Sequence, residues 1–436
     1  MRRVAPIFAI STWLLAAFTS SSWAQVVAPL TASPGAAAAA ARALALPALS
    51  LDEAIGRALQ SNLDLAAVRR ETEAAAALRF QAGRYLNPSV SYDVEEVRGG
   101  QRASGVGFSV PLELGGKRAA RIRAADRAAE VARTEVELRS VELRAAAIQF
   151  FFDVVAAQER EQLARGSVDL ARRAVDVAAR RVQAGRVSPV EETRARVAES
   201  SSRVELSQAQ TELYNARKRL AALFGEPAVQ FGPADGGLER LPAAPSQAEV
   251  VDRVAAAPEV VRARAEIGRR DAVAALARTQ RIPTVLVNAG TRTLAETGQR
   301  AASVGVALVV PIFDLNQGNI REAVVRTEQA RQQLAATEIR LQAEVLAARQ
   351  RLAGARHEAE LVRNETLPGA ASALDAATRG FELGKFGFLD VLDAQRTLFG
   401  ARSQLVRAAA DAYRAAADLQ RLLGPGTPGD SNQTLP

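Results

Sequence analysis

Two short stretches in each half of this chain alternate apolar and polar residues with a period of two. Val90, Tyr92 and Val94 alternate with Ser89, Ser91, Asp93 and Glu95, and Val106, Phe108 and Val110 alternate with Gly105, Gly107 and Ser109. The spacing predicts strands with one apolar face and one polar or small face. Val285, Val287 and Ala289, then Val304, Val306, Leu308 and Val310, repeat it farther along. The turns inside the two pairs, Arg98 to Arg102 and Arg292 to Arg300, both end in Gly-Gln-Arg. Elsewhere apolar residues return every three or four positions. Leu206, Ala209, Leu213, Ala216, Leu220 and Leu223 form a coiled-coil seam, and a shift of 199 lands on Leu405, Ala408, Ala412, Ala415, Leu419 and Leu422. The proline-free stretch from about Leu114 to Arg165 predicts a helix of roughly 75 Å, with small residues at Ile122, Ala125, Ala129, Ala132 and Val136 along one seam.

The shift is general, because the chain is an internal duplication. Arg181 to Glu191 matches Gly380 to Asp390 at an offset of 199 fixed by Gly185 and Gly384, and Leu220 to Gly225 matches Leu419 to Gly424 at the same offset. Gly105…Pro111 pairs with Gly305…Pro311 at 200, and Asn87-Pro88 with Ile282-Pro283 at 195. Each half therefore reads as helix, hairpin, long helix, glycine break, helix. A tilted strand needs roughly 9–11 residues to cross an apolar bilayer, and both hairpins are that long. Four strands do not close a barrel, and an open sheet edge is not tolerated in lipid, so closure calls for further copies.

The N-terminus, Met1-Arg2-Arg3 followed by an apolar stretch to Phe18 and a small-residue site ending at Ala24, reads as a secretory signal peptide over residues 1–24. With no cysteine after that stretch, no N-terminal lipid anchor is expected. The remaining chain divides into an Ala/Pro-rich flexible segment (25–48), a first repeat (49–225), a linker (226–245), a second repeat (246–424) and a flexible tail (425–436). No other apolar run approaches the roughly 18 residues of a membrane helix.

Composition narrows the chemistry. In 436 residues there is no cysteine, one histidine (His357) and one methionine, which excludes disulfides, thiolate metal sites and thiol nucleophiles. No nucleophile and base pair and no metal cluster marks an enzyme or a cofactor site. Gly115-Gly116-Lys117 lacks the spacing and the Ser/Thr of a phosphate loop. The net charge of +8 falls by two when Arg2 and Arg3 leave with the signal peptide, and the remaining charges alternate in sign along the helices. That does not make the clustered basic face of a nucleic-acid binder.

Leu49-Ser-Leu-Asp-Glu-Ala-Ile55, the repeated glycine breaks and Phe388-Leu-Asp-Val-Leu-Asp-Ala394 resemble the TolC family of outer-membrane efflux proteins across nearly all of the chain after the leader. Val110 to Arg118, Gln280 to Pro283 and Pro311 to Asn319 look like its heavy-metal, CzcC-like branch. The resemblance implies a mainly α fold with a small β part. It implies a homotrimer whose 12-stranded outer-membrane barrel, four strands per chain, continues as an α-helical periplasmic tunnel. Such a protein is a passive duct that takes substrate, here divalent heavy-metal cations, from a periplasmic membrane-fusion adaptor and an inner-membrane RND-type pump. A multidrug or type I protein-secretion duct is the alternative cargo reading, and a periplasmic coiled-coil adaptor the alternative class. An adaptor has a single helical hairpin between other domains, whereas this chain has two equivalent halves.

The resemblance also places candidate residues. Asp390 and Asp393, three apart and on one helix face, would form acidic rings at the pore entrance; the competing reading is that they cap or solvate a first helical turn. Glu191 is the first-half counterpart of Asp390. Where relatives place an arginine and a tyrosine, this chain has Phe386 and Phe381, so Arg186, Arg194 or Lys385 would have to supply the entrance bonds. The tip residues Gly185, Arg186, Val187, Gly384, Lys385 and Phe386 are candidates for adaptor contact. Pro111, Gly115, Gly116, Pro311 and Gly318 mark the junctions between strand and helix. His357 reads as a solvated surface residue.

Overall fold

The first half starts with β1 (Leu49–Ser50), α1 (Leu51–Ser61) and α2 (Leu63–Ala82). Ser50 caps α1 by accepting from the Glu53 N–H, and Asn62 ends α1 and caps α2 through the Leu65 N–H. The hairpin β2 (Ser89–Val97) and β3 (Gln101–Glu113) follows, then α3 (Lys117–Gln183) and α4 (Pro189–Leu223). After β4 (Ala234–Asp235) and α5 (Gln247–Val254), the second half repeats the plan with α6 (Pro258–Thr279), β5 (Thr284–Leu294), β6 (Arg300–Leu308), α7 (Gln317–Leu361), α8 (Leu367–Glu382) and α9 (Phe388–Leu423). This computed structural model describes residues 46–97, 101–383 and 385–426. The expected leader, most of the segment after it, the Arg98–Gly100 turn, Gly384 and residues 427–436 lie outside them.

At 67 residues, α3 runs well past Arg165 and spans about 100 Å. Gly166 does not stop it, because the small-residue seam continues through Ala171 and Ala178, both buried. Its duplicate is divided. Pro368 has no N–H to continue the helical ladder, and the chain widens into a π turn at Val362–Thr366 between α7 and α8.

The four long strands make one antiparallel sheet in the order β2-β3-β5-β6, so β3 and β5 join the two halves. Val90 stands opposite Phe108, Phe108 opposite Ala289 and Ala289 opposite Val304. That register gathers Val90, Tyr92, Val94, Val106, Phe108, Val287 and Val304 on one face and Ser91, Asp93, Gly105, Gly107, Asn288, Gly290 and Ser303 on the other. Val90, Tyr92, Val304 and Val306 are exposed within a single chain, and among the described residues nothing pairs with the outer edge of β2 or β6. No helix among the described residues is long and apolar enough to cross a membrane.

Two cores hold the helices. In the first, Phe152 stacks on Tyr413 with ring centroids 3.5 Å apart, and Phe151, Ile148, Leu220 and Phe231 pack around them. The second joins Leu341, Val345 and Leu352 of α7 to Leu419 and Leu422 of α9. Both predicted seams are present, with Ala209, Ala216 and Leu220 buried in one and Ala412, Ala415, Leu419 and Leu422 in the other. The connection between the halves is itself packed. β4 pairs in parallel with β1, Phe231 is fully buried, and the Arg217 guanidinium donates to the Phe231 and Gly232 carbonyls.

Candidate functional site at the helical tip

The far end of the helices is built by two turns. In the first, Gly185 takes φ +65° and the Arg186 N–H donates to the Arg181 carbonyl, a backbone shape that favours glycine. Ser188 then caps α4, with Pro189 in its first turn. Arg186 and Gly185 are exposed and Val187 half-buried. In the second turn, the Lys385 and Phe386 N–H groups both donate to the Gly380 carbonyl, and the Phe386 ring lies over Gly380 where no larger residue fits. Gly384, the sixth tip candidate, lies outside the described residues.

Asp390 and Asp393 are both exposed on the first turns of α9. The Asp390 carboxylate accepts from the Gly387 N–H at 2.8 Å, so it caps the helix. Among the described residues the Asp393 carboxylate makes no such bond. Glu191 lies half-buried on α4 and forms no ion pair among the described residues, whereas its neighbour Glu192 pairs with Arg196. None of Arg186, Arg194 and Lys385 forms an ion pair among the described residues. Among the described residues, a bond that ties the two halves here belongs to Arg181, which the sequence did not single out. Its guanidinium lies 4.0 Å from the centre of the Phe381 ring and donates to the Phe381 carbonyl at 3.1 Å. Leu392 of α9 packs with Phe381 against Ala178 and Ala195 below it.

The junctions between strand and helix bring the motif segments together. Gly115 and Gly116 have φ +68° and +72°, and a Cβ on Gly115 would lie 2.2 Å from Ile282 of the other half. Lys117 reaches across to the Thr284 hydroxyl at 3.0 Å. Arg121 pairs with Glu113 and donates to the Ala82 and Arg84 carbonyls, fastening β3 to the end of α2. Pro111 sits within β3 opposite Leu286. In the second half the turn is made by Asn316, at φ 59°, whose side chain donates to the Ala277 carbonyl. Within the Asn316-Gln-Gly318 segment the left-handed residue is Asn316, and Gly318 already lies inside the first turn of α7; asparagine tolerates the left-handed conformation and supplies a hydrogen bond that glycine cannot.

On the polar face of the sheet, Glu95 and Arg292 form an ion pair across β3, where Gly105 leaves room for it. His357 is exposed, and no group of three His, Cys, Asp or Glu among the described residues could hold a metal ion.

The family model described as outer membrane efflux protein matches residues 54–226 and again 252–425, one match to each half. The chain belongs to the outer membrane efflux protein family. It is 39% identical over 376 residues to the cobalt-zinc-cadmium resistance protein CzcC of Cupriavidus metallidurans, covering 86% of this chain and 90% of that one. It is 32% identical over 297 residues to the nickel and cobalt resistance protein CnrC of the same organism, covering 66% of this chain and 70% of that one. Among solved structures, CusC superposes with a TM-score of 0.73 at 20% identity, covering 86% of this chain and 92% of the other. The outer membrane protein VceC of Vibrio cholerae superposes at 0.71 and 19%, covering 86% and 96%. The fold is that of these outer-membrane channels, mostly helical with a small sheet and duplicated internally.

Proposed function

We propose that three copies of this efflux protein close a 12-stranded barrel in the outer membrane and form a passive duct for divalent heavy-metal cations. A periplasmic adaptor and an inner-membrane pump would load it from the tip. The observation that carries the duct is the sheet: one face is continuously apolar, the other is polar and glycine-rich, and both edges are unpaired. In lipid that arrangement is stable only when the edges close on other strands. The cargo is supported by the identity to CzcC and CnrC, whose names specify cobalt, zinc, cadmium and nickel. Asp393, and Asp390 beyond its capping role, would then concentrate cations at the entrance, and the turns around Gly185 and Lys385 would meet the adaptor.

A strain lacking the chain tests the cargo. Its tolerance of zinc, cobalt, cadmium and nickel should fall several-fold and return on complementation, with tolerance of drugs unchanged. Lost drug tolerance with intact metal tolerance would assign the duct to drugs instead.

A further inference from the structure

The chain leaves β6 short as well as unpaired. β3 stays in its ladder through Glu113 because β5 lies beside it. Its duplicate β6 ends at Leu308, and Val309, Val310, Ile312 and Phe313 remain 63–90% exposed. Proline does not explain the stop, since Pro111, the counterpart of Pro311, sits within β3. The helices show the same imbalance. Tyr413 of α9 is fully buried against Phe152, while Tyr214, its counterpart 199 residues earlier on α4, is 60% exposed. Val197 and Val204 lie exposed on that same side of α4. Each uncovered element is thus the duplicate of one that the other half covers within the chain.

We propose that a neighbouring copy covers them, with β6 pairing antiparallel to the neighbour's β2 in a register set by the duplication. The proposal rests on the trimeric duct described above and specifies its seam. The two hairpins supply the shifts: Val90 opposite Phe108 becomes Val285 opposite Leu308 when β2 moves by 195 and β3 by 200. Applied to the joint between the halves, the same shifts turn Phe108 opposite Ala289 into Leu308 opposite Val94 of the neighbour. Val110 opposite Val287 becomes Val310 opposite Tyr92, and Leu112 opposite Val285 becomes Ile312 opposite Val90. All three pairs are apolar on both sides and fall on the apolar face. A slip of one residue would set Val310 against Ser91 or Asp93 and turn one strand's faces the wrong way. The strand β6 then continues to Ile312, and its exposed valines enter the ladder. The packing of α9 on α3 carries over in the same way to α4 on the neighbour's α7 and α8, where Tyr214, Val197 and Val204 become covered.

The chain has no cysteine of its own, so paired substitutions report the seam cleanly. Full-length protein carrying Val310→Cys and Tyr92→Cys, oxidised in the outer membrane with copper phenanthroline, should run as disulfide-linked dimers and trimers that collapse on reduction. Directly opposite Cβ atoms stand about 4.5–5.5 Å apart and diagonal ones about 7–8 Å. Val310→Cys with Val90→Cys or with Val94→Cys should therefore link several-fold less. Leu308→Cys with Val94→Cys gives a second reading of the same register if loss of Tyr92 impairs assembly. Stronger linkage at a slipped pair than at Val310 with Tyr92 would overturn the register. Absence of linkage at every pair, in protein that an amine-reactive cross-linker joins into trimers, would overturn the β6 to β2 seam. Linkage at the expected pairs in cells whose metal tolerance does not depend on the chain would support the seam and contradict the cargo.

Discussion

Replacing Tyr413 by alanine is expected to lower the stability of the folded chain by about 3–5 kcal/mol, the range for removing a buried aromatic ring from a packed core. The ring is fully buried, stacks on Phe152 and sits among Ile148, Phe151 and Ala409 where α9 meets α3. Its hydroxyl donates to the Arg240 carbonyl in the connection between the halves, so one side chain holds three parts of the molecule together. Tyr413→Phe keeps the stack and should cost only about 1 kcal/mol for the lost hydrogen bond. Burial pushes the Tyr413 phenol up to about 12, with Glu239 adding to the rise. A group whose folded pKa lies above its unfolded value contributes stability below the unfolded value and loses it as pH rises toward the folded one. The wild-type melting temperature, followed by circular dichroism in detergent, should therefore fall more steeply between about pH 10 and 12 than that of Tyr413→Phe. Parallel curves would show that the phenol is not the group responsible.

If Asp390 and Asp393 line the entrance as proposed, neutralising them should change what the duct passes while leaving the fold intact. Asp390→Asn with Asp393→Asn removes two charges per chain, and asparagine retains an oxygen able to accept from the Gly387 N–H. The measurement is the reversal potential of purified protein in a planar bilayer under a salt gradient, and the preference for cations should drop by about twofold or more. Because Asp390 is engaged as a cap and Asp393 is not, Asp393→Asn alone should produce most of the change. Unaltered selectivity in the double variant would remove both residues from the permeation path.

Much of the architecture was legible because it rests on periodicity. Alternation along Val90–Val94 and Val106–Val110 placed the strands and their faces, and the seam from Leu206 to Leu223 placed a helix and its buried side. The duplication located the second copy of each. What periodicity does not encode is which distant elements touch. The joint of β3 with β5, the Phe152–Tyr413 stack and the Arg181 bond to Phe381 link residues far apart along the chain, from one half to the other, and nothing local to either partner announces the other. At the tip, attention to carboxylates favoured Asp390, Asp393 and Glu191, while the contact joining the halves there is a cation over a ring. At the second junction the segment Asn316-Gln-Gly318 was expected to turn the chain, and within it the left-handed residue is Asn316. The offset of 200 from Gly116 identifies that position, and asparagine fills it without glycine's freedom.

Zinc entry into liposomes containing the purified protein and an entrapped zinc-sensitive dye tests the central claim most directly. A passive duct should make the dye respond to external zinc, without nucleotide or proton gradient, at a rate that rises with the number of trimers per vesicle. Vesicles that stay dark to zinc while the same preparation conducts monovalent ions or passes drugs would contradict the assignment of this channel to metal export.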